Sequence, residues 1–241
     1  MDRTNFSRLR IRLTAAVLLA LLPFTASNLR GRGRTSVASS GAVGHPFGDD
    51  ERSREEIRRL LAQHGSDTYI GEMLTERDSS LARWRDREGS PLTVWIQPSS
   101  AVQGWSDEYT EDVRTAFADW NVLALPIRFT FTSDSASADV HVTYVDHFEE
   151  PISGRTRWAR DDDWWITDAD IALAVHHRDG LMLDGEAMHA MSLHEIGHLL
   201  GLDHTGDPTS IMASRVRVRA LSAADRATVR LLYTLPPGGV R

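Results

Sequence analysis

The 241-residue chain contains no cysteine and no lysine. The absence of cysteine excludes disulfide bonds, cysteine-rich zinc sites and a thiol nucleophile. It also excludes a lipoprotein anchor and any latency that depends on a bond between cysteine and a metal. Every cationic side chain other than histidine is therefore arginine, which we interpret as a coding bias without functional meaning.

Positive charge is scarce in most of the chain, whose formal net charge is −7 at pH 7. The first 34 residues contain seven arginines and one acidic residue, so the remainder, with 20 basic and 33 acidic side chains, has a net charge of −13. A protein that binds nucleic acid usually carries a basic surface. The acidic body therefore argues against nucleic acid as a partner.

Long hydrophobic runs are also missing, and the most apolar stretch covers residues 14–24. Its length of about 11 residues is well below the roughly 20 that a membrane-spanning helix needs. Arginines precede it, and the small residues 25–27 offer a site for a signal peptidase. We expect residues 1–27 to be a signal peptide, with an uncleaved membrane anchor as the alternative. Either reading predicts a secreted or cell-envelope protein.

Residues 28–90 separate this segment from the part with a globular pattern. Residues 28–50 are rich in Gly, Ser and Arg and predict a linker. Residues 51–88 have apolar side chains at helical spacing, and Gly65 and Ser66 interrupt the pattern. This stretch predicts two helices.

Two roles are open for this helical segment. As a prosegment, it would shield the functional site until its removal, and Asp78 or Asp86 would block the metal in place of cysteine. As a permanent N-terminal arm, it would pack on the following domain, for example through Trp84. The sequence favours neither role over the other.

Residues 91–235 predict one α+β domain, followed by a short tail over residues 236–241. Alternating or β-branched stretches predict strands at residues 92–96, 127–132, 138–145 and 170–175. Capping residues and helical periodicity predict helices over residues 111–122 after a Thr110 cap, over residues 185–202, and after a capping box at Ser222.

The helix predicted over residues 185–202 contains the sequence His-Glu-Ile-Gly-His at residues 194–198, followed by Gly201 and His204. Residues four apart lie on nearly the same face of a helix, so His194 and His198 present two imidazoles in one direction. Gly201 permits the left-handed turn that commonly ends a helix, after which His204 can approach the same point. Three neutral imidazoles with one open position form a catalytic zinc site.

Glu195 is offset from His194 by about 100° around the helix. It can therefore reach a zinc-bound water without taking a ligand position, and act as its general base. Together with the glycine and the third histidine, this spacing arises by chance in roughly one in ten thousand chains of this composition, or fewer. Histidines that merely pack or face solvent are the alternative reading.

The stretch 194–204 resembles the metzincin signature, and residues 210–212 resemble the Met-turn of that family. The resemblance implies a zincin/metzincin fold, with a mixed twisted sheet, an active-site helix, a backing helix and a C-terminal helix. It also implies that Met212 is a structural floor beneath the metal and not a ligand. Within metzincins, residues 91–235 are most similar to the matrixins, the matrix metalloproteinase-like peptidases.

The resemblance stops at two places. Animal matrixins have a segment rich in His and Asp that binds a structural zinc, with calcium nearby. Here residues 154–167 are short and contain Asp161, Asp162 and Asp163 but no histidine. We therefore expect one catalytic Zn²⁺, with Ca²⁺ at the acidic triplet as an open alternative. The Tyr-Pro wall of the S1′ pocket is replaced by residues 213–215, so side-chain preference does not carry over.

These features predict a monomeric zinc-dependent endopeptidase that hydrolyses extended protein or peptide substrates. The alternative is a catalytically inactive, zinc-containing binding module of the cell envelope. A non-proteolytic metal hydrolase fits the bare His-Glu-x-x-His motif, but not its combination with Gly201, His204 and Met212.

Overall fold

The computed structural model describes residues 51–77, 79–87 and 89–239, and the side chains from residue 55 onward within those ranges. The predicted signal peptide or anchor, the predicted linker and Asp78 lie outside the described residues. Within the described part, no helix is long and apolar enough to cross a membrane.

Five α-helices and eight strands make up the described chain. The helices are α1 (Glu51–His64), α2 (Ile70–Glu76), α3 (Asp107–Asn121), α4 (Gly185–Leu199) and α5 (Ala223–Leu232), with a 3₁₀ turn at Ser135–Ser137. The strands are β1 (Ser80–Leu81), β2 (Arg83–Trp84), β3 (Leu92–Ile96), β4 (Phe129–Phe131), β5 (Val140–Val145), β6 (Gly154–Arg160), β7 (Trp165–Ala174) and β8 (Gly238–Gly239).

The main sheet is mixed, as the metzincin resemblance implies. Its parallel part has the order β2-β7-β5-β3-β4, and β6 pairs antiparallel with β7. The same residues of β7 pair with β5 along one edge and with β6 along the other. Strand β6 therefore lies on the side of β7 that faces away from β5. No other strand of the described chain pairs with β6. The strand therefore leaves one hydrogen-bonding edge open.

Alternate apolar side chains of the sheet are buried in the core that it shares with the helices. Val140, Val142 and Tyr144 of β5 are buried, as the period-two pattern predicts. Helices α3 and α4 pack against each other, and the indole Nε1 of Trp120 donates to the carbonyl oxygen of Leu193 at 3.1 Å. Helix α3 is thus the predicted backing helix for the motif-bearing α4.

Several predicted boundaries are wrong. Helix α3 begins four residues early, because the hydroxyl of Ser106 caps it by accepting from the backbone N–H of Glu108, and Thr110 lies inside its first turns. Helix α4 ends at Leu199 and not at residue 202. Strand β7 begins five residues before the predicted start.

The described residues between 51 and 90 are part of the same compact unit as the domain that follows. Strand β2 extends the main sheet by pairing with β7, and β1 pairs antiparallel with β8. Trp84 is 1% exposed, and its Nε1 donates to the carbonyl oxygen of Leu199 at 2.9 Å. The N-terminal segment therefore contributes to the core beneath α4.

Candidate metal centre

Three imidazoles converge at the C-terminal end of α4. The Nε2 atoms of His194, His198 and His204 form a triangle with sides of 3.1, 3.2 and 3.3 Å. Nitrogens bound to a tetrahedral zinc ion at about 2.0–2.1 Å lie about 3.3–3.4 Å from each other. The triangle therefore fits three ligand positions around zinc. Within the described ranges, no other group of three or more His, Asp or Glu side chains brings its ligand atoms this close together.

Backbone carbonyls set the orientation of two of these rings. The Nδ1 atoms of His194 and His198 lie 2.7 Å from the carbonyl oxygen of Ile211 and 3.1 Å from that of Leu202. A carbonyl oxygen only accepts, so Nδ1 is the donor and Nε2 of the neutral ring keeps its lone pair. The lone pairs point toward a common position.

Burial keeps these rings neutral. It lowers the pKa of His194 to about 4 and that of His198 to about 3, and the neighbouring histidines add to the effect at His198. Protonation therefore does not compete with metal binding near pH 7. The converging lone pairs repel each other unless a cation lies between them.

The chain reverses direction between the second and third histidine at Gly201. This residue has a φ of +98°, and a Cβ at its position would overlap the carbonyl oxygen of Ala82. Glycine is required both for the left-handed conformation and for the close approach of the N-terminal segment. The turn predicted from the motif is thus present, three residues before His204.

Met212 is buried in a turn that packs against α4. A Cβ on Gly197 of α4 would overlap the Sδ atom of Met212, so the thioether packs directly on the motif helix. The carbonyl oxygen of Met212 accepts from the N–H of Thr205 at 3.1 Å. The turn therefore touches both the helix and the loop that carries the third histidine.

Glu195 is enclosed beside the triad, with 3% of its surface exposed. The hydroxyl of Thr156 on β6 lies 2.6 Å from its Oε2 atom and 2.9 Å from its carbonyl oxygen. A Cβ on Gly154 would overlap the carboxylate. Burial raises the pKa of Glu195 to about 7, while the hydrogen bond from Thr156 acts in the opposite direction. A carboxylate that titrates near neutral pH is well matched to a general base.

Residues from the N-terminal segment support the loop that carries His204. The carboxylate of Glu72 accepts from the Thr205 hydroxyl at 3.1 Å and from the Gly206 N–H at 2.8 Å. Arg77 donates to Asp203 at 2.6 Å and to the carbonyl oxygen of Gly201 at 3.3 Å. Sequence reasoning missed these contacts because the partners are more than 100 residues apart.

An open cleft of about 910 Å³ contains the triad and Glu195. Thr156 was also missed from the sequence, because residues 154–160 lack the apolar alternation that marks a strand. The cleft runs along β6, whose outer edge is unpaired in the described chain.

The remaining predicted ligands lie elsewhere. Asp86 accepts from Arg83 at 2.6 Å. Asp161, of the acidic triplet, accepts from Arg85 and from the backbone N–H groups of Asp163 and Trp165. Calcium at this triplet stays a prediction.

Comparison with known proteins finds that metallopeptidases are similar to this chain. The family model described as Matrixin matches residues 146–234. Metalloendoproteinase 1 of Glycine max is 24% identical over 178 residues, covering 65% of this chain and 54% of that protein. Matrix metalloproteinase-16 of Homo sapiens is 33% identical over 86 residues, covering 34% and 12%. Matrix metalloproteinase-C of Caenorhabditis elegans is 24% identical over 149 residues, covering 52% and 24%. The chain spans about half the length of these relatives, or less.

Proposed function

We propose that the chain carries a matrixin-like metzincin catalytic domain and is a zinc-dependent endopeptidase, because the Matrixin family model matches residues 146–234 and metalloproteinases are similar to the chain. The observation that carries the proposal is the convergence of three Nε2 atoms beside a buried glutamate in an open cleft. In this proposal His194, His198 and His204 hold the ion, and Met212 is the structural floor below them.

The other steps of catalysis and substrate binding are assigned to residues of the protein itself. A zinc ion held by the imidazoles would supply a Lewis acid for the substrate carbonyl and acidify the attacking water. Glu195 takes the proton from that water and returns it to the leaving amine. Thr156 fixes one carboxylate oxygen, which leaves the other for the proton. The unpaired edge of β6 binds an extended peptide as an added strand through main-chain hydrogen bonds.

We also propose that residues 69–86 are a permanent arm and not a removable prosegment. Glu72 and Arg77 bond to the loop that carries His204, and Trp84 bonds to the end of α4. Removal of these residues would expose core side chains and release the loop. In this account, a monomer acts in the secreted or cell-envelope compartment, to which residues 1–27 direct it.

Hydrolysis of a mixed peptide library by the purified protein tests the proposed activity. We expect cleavage that stops on addition of a chelator and returns on addition of zinc, because the three imidazoles bind the ion reversibly. Cleavage that persists in the chelator would contradict the proposal. One equivalent of bound zinc without turnover of any peptide would instead support the inactive binding module.

A further inference from the structure

The charge of the cleft differs from that of the molecule around it. Four arginines line the cleft: Arg77, Arg155, Arg157 and Arg215. Glu195 is the one acidic side chain among the described lining residues, and it is buried. The chain after residue 34 has a net charge of −13, so the cleft lining is more positively charged than the chain as a whole.

Two of the four arginines are neutralised locally. Arg77 pairs with Asp203 at 2.6 Å, and Arg155 pairs with Glu150 at 2.8 Å. Arg157 and Arg215 are exposed and form no ion pair with the described residues, although Arg157, together with Arg155, helps to lower the pKa of Glu150. Their charges are therefore available to a bound molecule.

These two arginines lie toward opposite ends of the cleft. Arg157 is on β6, beyond Thr156 in the direction of the C-terminal end of that strand. Arg215 lines a second depression of about 510 Å³ with residues 151–153, which precede β6. A peptide added antiparallel to β6 would bring the residues before the scissile bond to Arg157 and those after it to Arg215.

We propose that the cleft selects acidic peptides, in which Asp or Glu residues on both sides of the scissile bond pair with Arg157 and Arg215. The inference rests on the proposed endopeptidase function and names its substrate class. Cationic side chains at the mouth of a cleft concentrate anionic substrates and discriminate against cationic ones. Each exposed pair contributes up to about fivefold, and the two together up to about 25-fold.

Three peptide libraries of equal length test the preference. Each has a randomised centre and carries Glu, Gln or Lys at fixed positions on either side of it. Glu and Gln have nearly the same shape, so their comparison isolates the charge. For the zinc-loaded wild-type protein, we expect kcat/KM to fall in the order Glu, Gln, Lys, and the differences to shrink at high salt because the arginines are exposed.

Charge reversal identifies the residues responsible. In the Arg157→Glu, Arg215→Glu double variant we expect the order to invert, while Arg217→Glu, an exposed arginine outside the cleft, keeps the wild-type order. Equal kcat/KM for the three libraries, or an unchanged order in the double variant, would overturn the inference.

A binding measurement separates this inference from the proposed function. Fluorescence anisotropy of the same three libraries with the zinc-loaded Glu195→Gln variant reports preference without turnover. Tighter binding of the Glu library supports the inference even if the wild-type protein cleaves no peptide. The lack of cleavage would then contradict only the proposed endopeptidase activity. Equal binding of the three libraries overturns the inference whatever the turnover.

Discussion

Thr156 and Glu195 form the most consequential single contact that the sequence did not reveal. The Thr156 hydroxyl can orient one oxygen of a carboxylate that is almost fully buried. In the Thr156→Val variant, which keeps the shape and loses the donor, we expect kcat to fall about 10- to 100-fold, because a hydrogen bond to a charged group is worth about 1.5–3 kcal/mol. KM and zinc stoichiometry should stay unchanged in peptide-hydrolysis and metal-content assays.

The Thr156→Ser variant is the matched control, because serine restores the hydroxyl. We expect it to keep most of the wild-type kcat. Wild-type kcat in Thr156→Val, or an equally poor Thr156→Ser, would show that the hydroxyl does not position the base.

Both the sequence motif and the folded structure require glycine at position 201. An alanine there would combine a left-handed backbone with a Cβ against the carbonyl oxygen of Ala82. We expect Gly201→Ala to lose about 2 kcal/mol or more of unfolding free energy and to lower Tm by about 4–8 °C. Thermal unfolding of the metal-free protein measures this, since it leaves zinc binding out of the comparison.

Gly71 supplies the contrast for that substitution. It lies in α2 without a positive φ, and no atom lies within 4 Å of the position that an alanine Cβ would take. Gly71→Ala should therefore be neutral or slightly stabilising, because alanine has the higher helix propensity. Equal Tm values for the two alanine variants would contradict the role assigned to the turn at Gly201.

At the scale of elements, α2 and the loop after α4 act together. Glu72 accepts two hydrogen bonds from residues 205–206, directly after the third histidine. Outer-shell contacts that orient metal ligands typically change metal affinity by about 10–100-fold. We therefore expect Glu72→Ala to weaken zinc binding about tenfold in a competition assay with a chelator.

Glu76→Ala provides a control in the same helix. Glu76 is exposed, so its removal should leave the zinc affinity at the wild-type value. If both variants bind zinc as tightly as the wild type, the arm does not position the third ligand, and its retention in the mature protein loses its main support.

Sequence patterns predicted elements well wherever one face is buried and the other is not. The strands at residues 92–96 and 140–145 alternate because alternate side chains enter the core. Strand β6 has the sequence Gly-Arg-Thr-Arg-Trp-Ala-Arg, and its register comes from backbone pairing with β7 and not from a buried face. No periodicity marks such an edge strand, although it carries Thr156 and Arg157.

Across the whole molecule, local sequence predicted the proposed metal ligands, and tertiary packing determined which residues surround them. His194, His198 and Glu195 follow from helical geometry alone, and Gly201 and His204 follow from the need to end that helix. The supports of the site come from α2, β2 and β6, which are distant in the chain. Their side chains are common polar residues without a distinctive spacing, so only the folded structure brings them to the metal centre.

The role of Glu195 as the base of a zinc peptidase is tested by the peptide-hydrolysis rate of the Glu195→Gln variant, with its zinc content measured on the same sample. Glutamine keeps the shape of the side chain and cannot accept the proton. We predict one bound zinc per chain and a kcat at least about 100-fold below that of the wild type. A zinc-loaded Glu195→Gln variant that hydrolyses peptides at the wild-type rate would contradict this mechanism.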